Sequence, residues 1–301
     1  MIEIEGVTRR FGGHVALDDV TFTVPDGAVT GFVGPNGAGK STALHVITGL
    51  DGDATGTVRI DGVVQRQGEP RSGVGALLDA SWAHPRRSAR DHLRALSLVQ
   101  GVPEGRVAEV LELTGLGGVA RRRVGQFSLG MRQRLGIAGA LLAEPKNVIL
   151  DEPVNGLDPD GIAWVRQLAR SLAAGGAAVL MSSHLLAELA QTADRIVVIG
   201  QGRILGSGPI GDFVQTNTDM TRVTSLDDEL LAEALQRAGW QVERQPVGLR
   251  VAAPAAAVGR AALGAGVCLT NLQPEAVSLE DRFRELTADQ IEYRAEGLVT
   301  A

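Results

Sequence analysis

The chain has 301 residues and a formal net charge of -6, and its 44% hydrophobic and 21% charged residues lie near the proportions of folded globular domains, which excludes bulk disorder and fibrous structure. One cysteine, Cys268, precludes an internal disulfide and a Cys-based metal framework, so a reducing compartment is expected. The opening MIEIEGVTRRFGG lacks the basic-then-apolar order of a secretory signal, no run reaches the roughly 18 apolar residues of a membrane helix, and a net acidic chain without a Lys/Arg tract is a poor general nucleic-acid binder.

In chain order, alternation predicts strands at 1–7 and 21–24, closed by the turn Pro25-Asp26-Gly27. The apolar run 28–33 then enters a glycine-rich loop, with a helix over 41–50. Asp61-Gly62 between 57–60 and 63–65 predicts a tight hairpin. From about 85 to 143 the spacing is helical, as in Leu93, Leu96 and Val99 or Val107, Val110 and Leu111. Short apolar runs at 148–150, 177–181 and 196–199 alternate with helical segments at 162–174 and 185–192, a pattern that predicts a largely parallel sheet covered on both faces. After Gly208 the texture changes. Strands at 220–226, 241–244, 249–251 and 267–272 around helices at 227–239 and 255–263 predict a second, small α+β domain, and Ser278, with Asp281 three residues on, is the expected N-cap of a last helix.

Gly34-Pro35-Asn36-Gly37-Ala38-Gly39-Lys40-Ser41 fits the phosphate-loop pattern G-x-x-x-x-G-K-[ST] and stands between an apolar strand and a helix, as the chemistry requires. Glycines let successive N–H groups turn inward, and a helix N-terminus adds partial positive charge. Lys40 is expected to reach the β and γ phosphates, Ser41 to offer its hydroxyl to Mg²⁺, and Thr42 to contact phosphate. Asp151 and Glu152 follow the buried run Val148-Ile149-Leu150, at the sheet end where phosphates should sit. Asp151 suits the metal, and Glu152 suits polarisation of the attacking water or removal of its proton. By itself such a carboxylate pair is also an ordinary strand end running into a turn.

Phe127-Ser128-Leu129-Gly130-Met131-Arg132-Gln133-Arg134 precedes that strand, and with it the ordered set resembles the ATP-binding subunit of ABC transporters. The octapeptide is similar to the family signature LSGGQ, with Ser128 and Gly130 kept, Leu129 at the first glycine of the pair and Met131 at the glutamine. Read alone, Ser128 is a helix N-cap. The resemblance implies that Ser128 and Gly130 face the nucleotide of a second subunit. It makes Asn155-Gly156-Leu157-Asp158-Pro159 the D-loop across the dimer seam, with Asp158 its acidic residue. His184 in Ser182-Ser183-His184 becomes the switch residue at the γ-phosphate, and Phe11 the aromatic on adenine. Asp79 departs from the family, standing where a glutamine usually joins Mg²⁺ and water to the transmembrane partner.

The resemblance covers about residues 1–215, and the segment from Ser278 to Thr287 resembles the last helix of ATPase subunits of bacterial drug and antibiotic exporters. It implies an α/β fold: a P-loop NTPase cassette with a mixed sheet core, an antiparallel β subdomain and a helical subdomain at about 85–143, followed by the accessory domain at 216–301. It also implies an ATPase using ATP and Mg²⁺, pairing as a homodimer and energising a separate permease for drug or antibiotic export. Such a protein would be cytoplasmic, peripheral on the inner face of the plasma membrane, with 80–98 as its docking surface and no nucleic acid expected. The alternatives are a soluble ATPase of the same cassette type acting on ribosomes or DNA, and a nucleotide-dependent regulator that does not transport.

Overall fold

The computed structural model describes residues 1–66, 73–183, 186–213, 216–276 and 279–287. It divides into two compact units, Met1–Ile210 with the described residues from Phe283, and Gly211–Arg282.

In the first unit β1 (Ile2–Phe11) and β2 (His14–Val24) form a long hairpin, followed by β3 (Ala28–Val33), α1 (Lys40–Thr48), β4 (Thr55–Ile60), β5 (Val63–Val64) and β6 (Val74–Leu77). Helices α2 (Ala89–Gln100), α3 (Gly105–Leu113) and α4 (Leu129–Ala140) come next. The chain then alternates through β7 (Asn147–Leu150), α5 (Pro159–Ala174), β8 (Ala178–Ser182), α6 (Leu186–Thr192), β9 (Arg195–Gly200) and β10 (Arg203–Pro209), and α7 (Ile210–Phe213) leads into the second unit.

Two sheets share this unit. An antiparallel sheet has the order β2-β1-β4-β5, and a six-stranded sheet has the order β10-β9-β3-β8-β7-β6. In the second all pairings are parallel except β9 with β10. The buried strands β7 and β8 show no exposed position, which explains their continuous apolar runs. Leu44 and Ile47 of α1 pack with Ile2, Ile4 and Phe22 of the antiparallel sheet and with Phe32, Ile149 and Leu180 of the parallel one. Phe22 and Phe32 stack with ring centroids 5.3 Å apart. The helical subdomain has its own core, centred on Leu93, Val110, Leu116, Phe127 and Leu135.

Where the sequence predicts a strand ending at Val7 and another beginning at Thr21, the pairing extends to Phe11 and back to His14. Register shifts after Ile4, Val7 and Arg9 break the simple alternation there. The edge strand β10 was outside the predicted set, because its Gly206, Gly208 and Pro209 give it no apolar period.

The second unit contains β11 (Thr216–Ser225), α8 (Asp228–Arg237), β12 (Val242–Arg244), β13 (Leu249–Val251), α9 (Ala255–Gly264) and β14 (Leu269–Ala276). The antiparallel order β12-β13-β11-β14 with the sequence βαββαβ is a split βαβ, ferredoxin-like arrangement. Val223, Leu231, Leu235, Val251 and Val258 form its core. The last helix, α10 (Leu279–Thr287), follows β14.

Candidate functional site

Strand β3 lies between β8 and β9, and β7 lies on the far side of β8, so the segments leaving β3, β7 and β8 emerge side by side. The chain leaving β3 turns through Gly34–Gly39 into α1. A Cβ at Gly34 would stand 2.3 Å from the Ile199 carbonyl oxygen, and one at Gly39, where φ is +103°, would stand 2.6 Å from that of Ala16. Both positions therefore demand glycine. No side chain caps the N-terminus of α1 and no acidic residue occupies its first turn, which leaves its positive end for an anion.

The Lys40 ammonium folds back over the loop and donates to the carbonyls of Gly34 (2.6 Å) and Pro35 (3.1 Å). Burial lowers its pKa, against the attraction of Glu152 and Asp151. Ser41 Oγ donates to Asp151 Oδ2 at 3.4 Å, and the Ser182 hydroxyl donates to Asp151 Oδ1. Burial raises the Asp151 pKa, aided by the charge of Glu152 and opposed by the Ser182 hydrogen bond and Lys40. At Glu152 φ is +47°. Its backbone N–H donates to Ser182 Oγ and its carbonyl accepts from Gln133 Nε2, both at 2.8 Å.

Residues 36–42, Asp151 and Glu152 line one cleft of about 410 Å³ with Phe11, His14 and Ala16 at its side. The structure thus brings together the phosphate loop, the carboxylate pair and the aromatic. Phe11 is 49% exposed, with the Arg9 guanidinium 4.2 Å from its ring centroid.

The other expected residues stand apart from this cleft. Ser128 caps α4 by accepting from the Met131 N–H (3.2 Å), and Asp158 caps α5 by accepting from that of Gly161 (2.9 Å). Gly130 lies against the Gly156 carbonyl and the Leu157 side chain, so the two segments adjoin each other. The Asp79 carboxylate accepts from the Ser81 N–H and Oγ, each at 2.7 Å, and these bonds hold its pKa below the usual carboxylate range. It lines a second hollow of about 420 Å³ with Trp82, His92, Leu96 and Gln100. His184 and Ser278 lie outside the described residues. Two participants were absent from the sequence-derived site: Ser182, the first residue of the switch tripeptide, and Gln133, inside the signature octapeptide.

Among the described residues no cluster of three or more His, Cys, Asp or Glu forms a self-sufficient metal cage. Ser41 and Asp151 do offer adjoining hydroxyl and carboxylate oxygens beside the phosphate loop. That sparse oxygen set fits Mg²⁺, a hard cation that takes one or two protein ligands and completes its shell with waters and phosphate oxygens.

The family described as ABC transporter matches residues 17–155, and a domain of unknown function matches residues 219–280. The lantibiotic transport ATP-binding protein SrtF of Streptococcus pyogenes is 38% identical over 205 residues, covering 68% of this chain and 89% of its own. The bacitracin transport ATP-binding protein BcrA of Enterococcus faecalis is 32% identical over 295 residues, covering 95% of this chain and 96% of its own. A solved structure of the ATP-binding subunit of an ABC transporter superposes with a TM-score of 0.65 at 29% identity, over 71% of this chain and 91% of that one.

Proposed function

This chain belongs to the ABC transporter family as an ATP-binding, ATP-hydrolysing subunit, and from that premise we propose that two copies close on two MgATP molecules and drive a separate permease exporting an antibiotic or drug. The observation that carries this reading is the convergence of Lys40, Ser41, Asp151 and Glu152 on one cleft at the N-terminus of α1. The cargo class follows from SrtF and BcrA, whose names specify lantibiotic and bacitracin transport.

In this reading the backbone of 34–39 cradles the phosphates, and Lys40 exchanges the Gly34 and Pro35 carbonyls for β and γ phosphate oxygens. Ser41 and Asp151 would hold Mg²⁺, which when bound offsets charge on the transferring phosphoryl group. Glu152 orients the attacking water and takes its proton, while Thr42 donates to phosphate. The free face of Phe11 receives adenine. Ser128, Gly130 and Asp158 serve the nucleotide of the second subunit, and His184 meets the γ-phosphate.

No helix among the described residues is long and apolar enough to cross a membrane. The hollow beside Asp79 is our docking surface for that permease on the cytoplasmic face. Trp82 in its lining is 61% exposed, an apolar surface suited to a partner. Asp79, held by Ser81 at the rim of this hollow, would stand between the metal-bound water and the permease. The test is affinity capture of the tagged chain from detergent-solubilised native membranes. A polytopic membrane protein in near-equal amount is expected, and recovery solely with ribosomal or DNA-associated partners would refute the exporter reading.

A further inference from the structure

Glu152 occupies a backbone conformation that residues with a side chain adopt at a cost, with φ at +47°. A peptide in that state persists where its surroundings over-determine it, and here both of its polar groups are gripped. Ser182 Oγ, at the end of β8, takes the N–H, while Gln133 Nε2, on α4, donates to the carbonyl. Gln133 is 5% exposed, so its amide is committed to this contact instead of to water. From these grips we infer that Gln133 is a positioning residue for ATP hydrolysis, which holds the Glu152 peptide so that its carboxylate faces the phosphate loop.

The inference rests on the hydrolytic reading of Glu152 and deepens it. Asp151 has an independent anchor, because its N–H donates to the Leu77 carbonyl at 2.7 Å within the sheet pairing of β6 and β7. Glu152 lies two residues past the end of β7 and has no such ladder. Its carbonyl accepts from the Asn155 N–H at 3.2 Å in the turn that follows and, from a different layer, from Gln133 on α4, the helix capped by Ser128, which packs in the core of the helical subdomain. A displacement of α4 against the sheet therefore reaches the Glu152 carbonyl through Gln133. In this way the helix whose N-terminus carries the signature residues sets the aim of the carboxylate in its own chain.

The experiment measures steady-state ATP turnover and MgATP affinity of the full chain for wild type, Gln133→Leu, Gln133→Glu and Glu152→Gln. Loss of the donor in Gln133→Leu is expected to lower kcat by about tenfold to a hundredfold, with KM and nucleotide affinity within about twofold of wild type. Gln133→Glu keeps the shape but donates only when protonated, so its kcat relative to wild type should rise as pH falls. A packing role alone would lower MgATP affinity and the unfolding midpoint together with kcat as that carboxylate ionises, whereas the positioning role lowers kcat at unchanged MgATP affinity. Wild-type kcat in both Gln133 variants, beside a Glu152→Gln variant that has lost turnover, overturns the positioning role and leaves the catalytic reading of Glu152 standing. Normal turnover of Glu152→Gln overturns the reading beneath it. Should Gln133→Leu fail to fold, the pH profile of Gln133→Glu decides alone, a profile parallel to wild type counting against the inference.

Discussion

Asp151 and Glu152 are neighbours in the chain, yet their backbones have different anchors. Glu152→Gln keeps the size of the side chain and one accepting oxygen but replaces the other with an NH2 donor and removes the base. We expect it to bind MgATP and to hydrolyse it at least about a hundredfold more slowly, read by equilibrium binding beside steady-state turnover. For Asp151 the sign of the pKa shift yields a second prediction. Burial raises it above its ordinary 3.8, so the folded chain holds this proton more tightly than the unfolded chain. Stability contributed at this site therefore falls as pH rises from the usual carboxylate range through the raised value. Asp151→Asn should raise the unfolding midpoint of the nucleotide-free protein at about pH 7, with the gain shrinking toward about pH 4, while turnover is lost. An unfolding midpoint unchanged at both values would contradict the burial argument.

At the scale of elements, the N-termini of α1, α4 and α5 differ in a telling way. Ser128 and Asp158 satisfy the orphan N–H groups of α4 and α5, whereas the N-terminus of α1 has no side-chain cap. Asp158→Ala should cost about 1 kcal/mol of stability through the lost cap, measurable by denaturant unfolding. If Asp158 also serves the partner's site, its turnover should fall by more than the lost stability explains, a comparison to be made well below the unfolding transition. For α1 the close approach of Gly34 to Ile199 makes the opposite kind of prediction. Gly34→Ala must displace the loop from the end of β9, so nucleotide binding should be lost while the helical subdomain, with its separate core, keeps its secondary structure. Circular dichroism together with nucleotide titration checks both halves. The phosphate loop and the apolar strands were legible because their signals are local: a glycine spacing in one case, an unbroken apolar run in the other. The first hairpin and β10 were not, because bulges or glycines erase the period of two by which a strand is recognised.

Across the whole molecule the two compact units have separate hydrophobic cores. Every described residue lining the nucleotide cleft precedes Pro153, so deletion after about residue 215 should leave ATP binding intact. A truncated chain that fails to fold or to bind nucleotide would mean the second unit supports the first. What the sequence by itself determined is the chemistry and its order: a phosphate loop, a carboxylate pair behind a buried strand, and a signature before it, each written in a few consecutive residues. The family and the α/β alternation follow from that order. Only the tertiary structure decided which groups meet. It set Ser182 between Asp151 and the Glu152 N–H, brought Gln133 to the Glu152 carbonyl, and gave residues 216–276 a ferredoxin-like order. The reason is physical: a local motif sets backbone geometry over a few residues, whereas the Gln133 and Ser182 hydrogen bonds join positions 19 to 31 residues apart and exist only once strand order and helix packing have brought them within hydrogen-bonding distance.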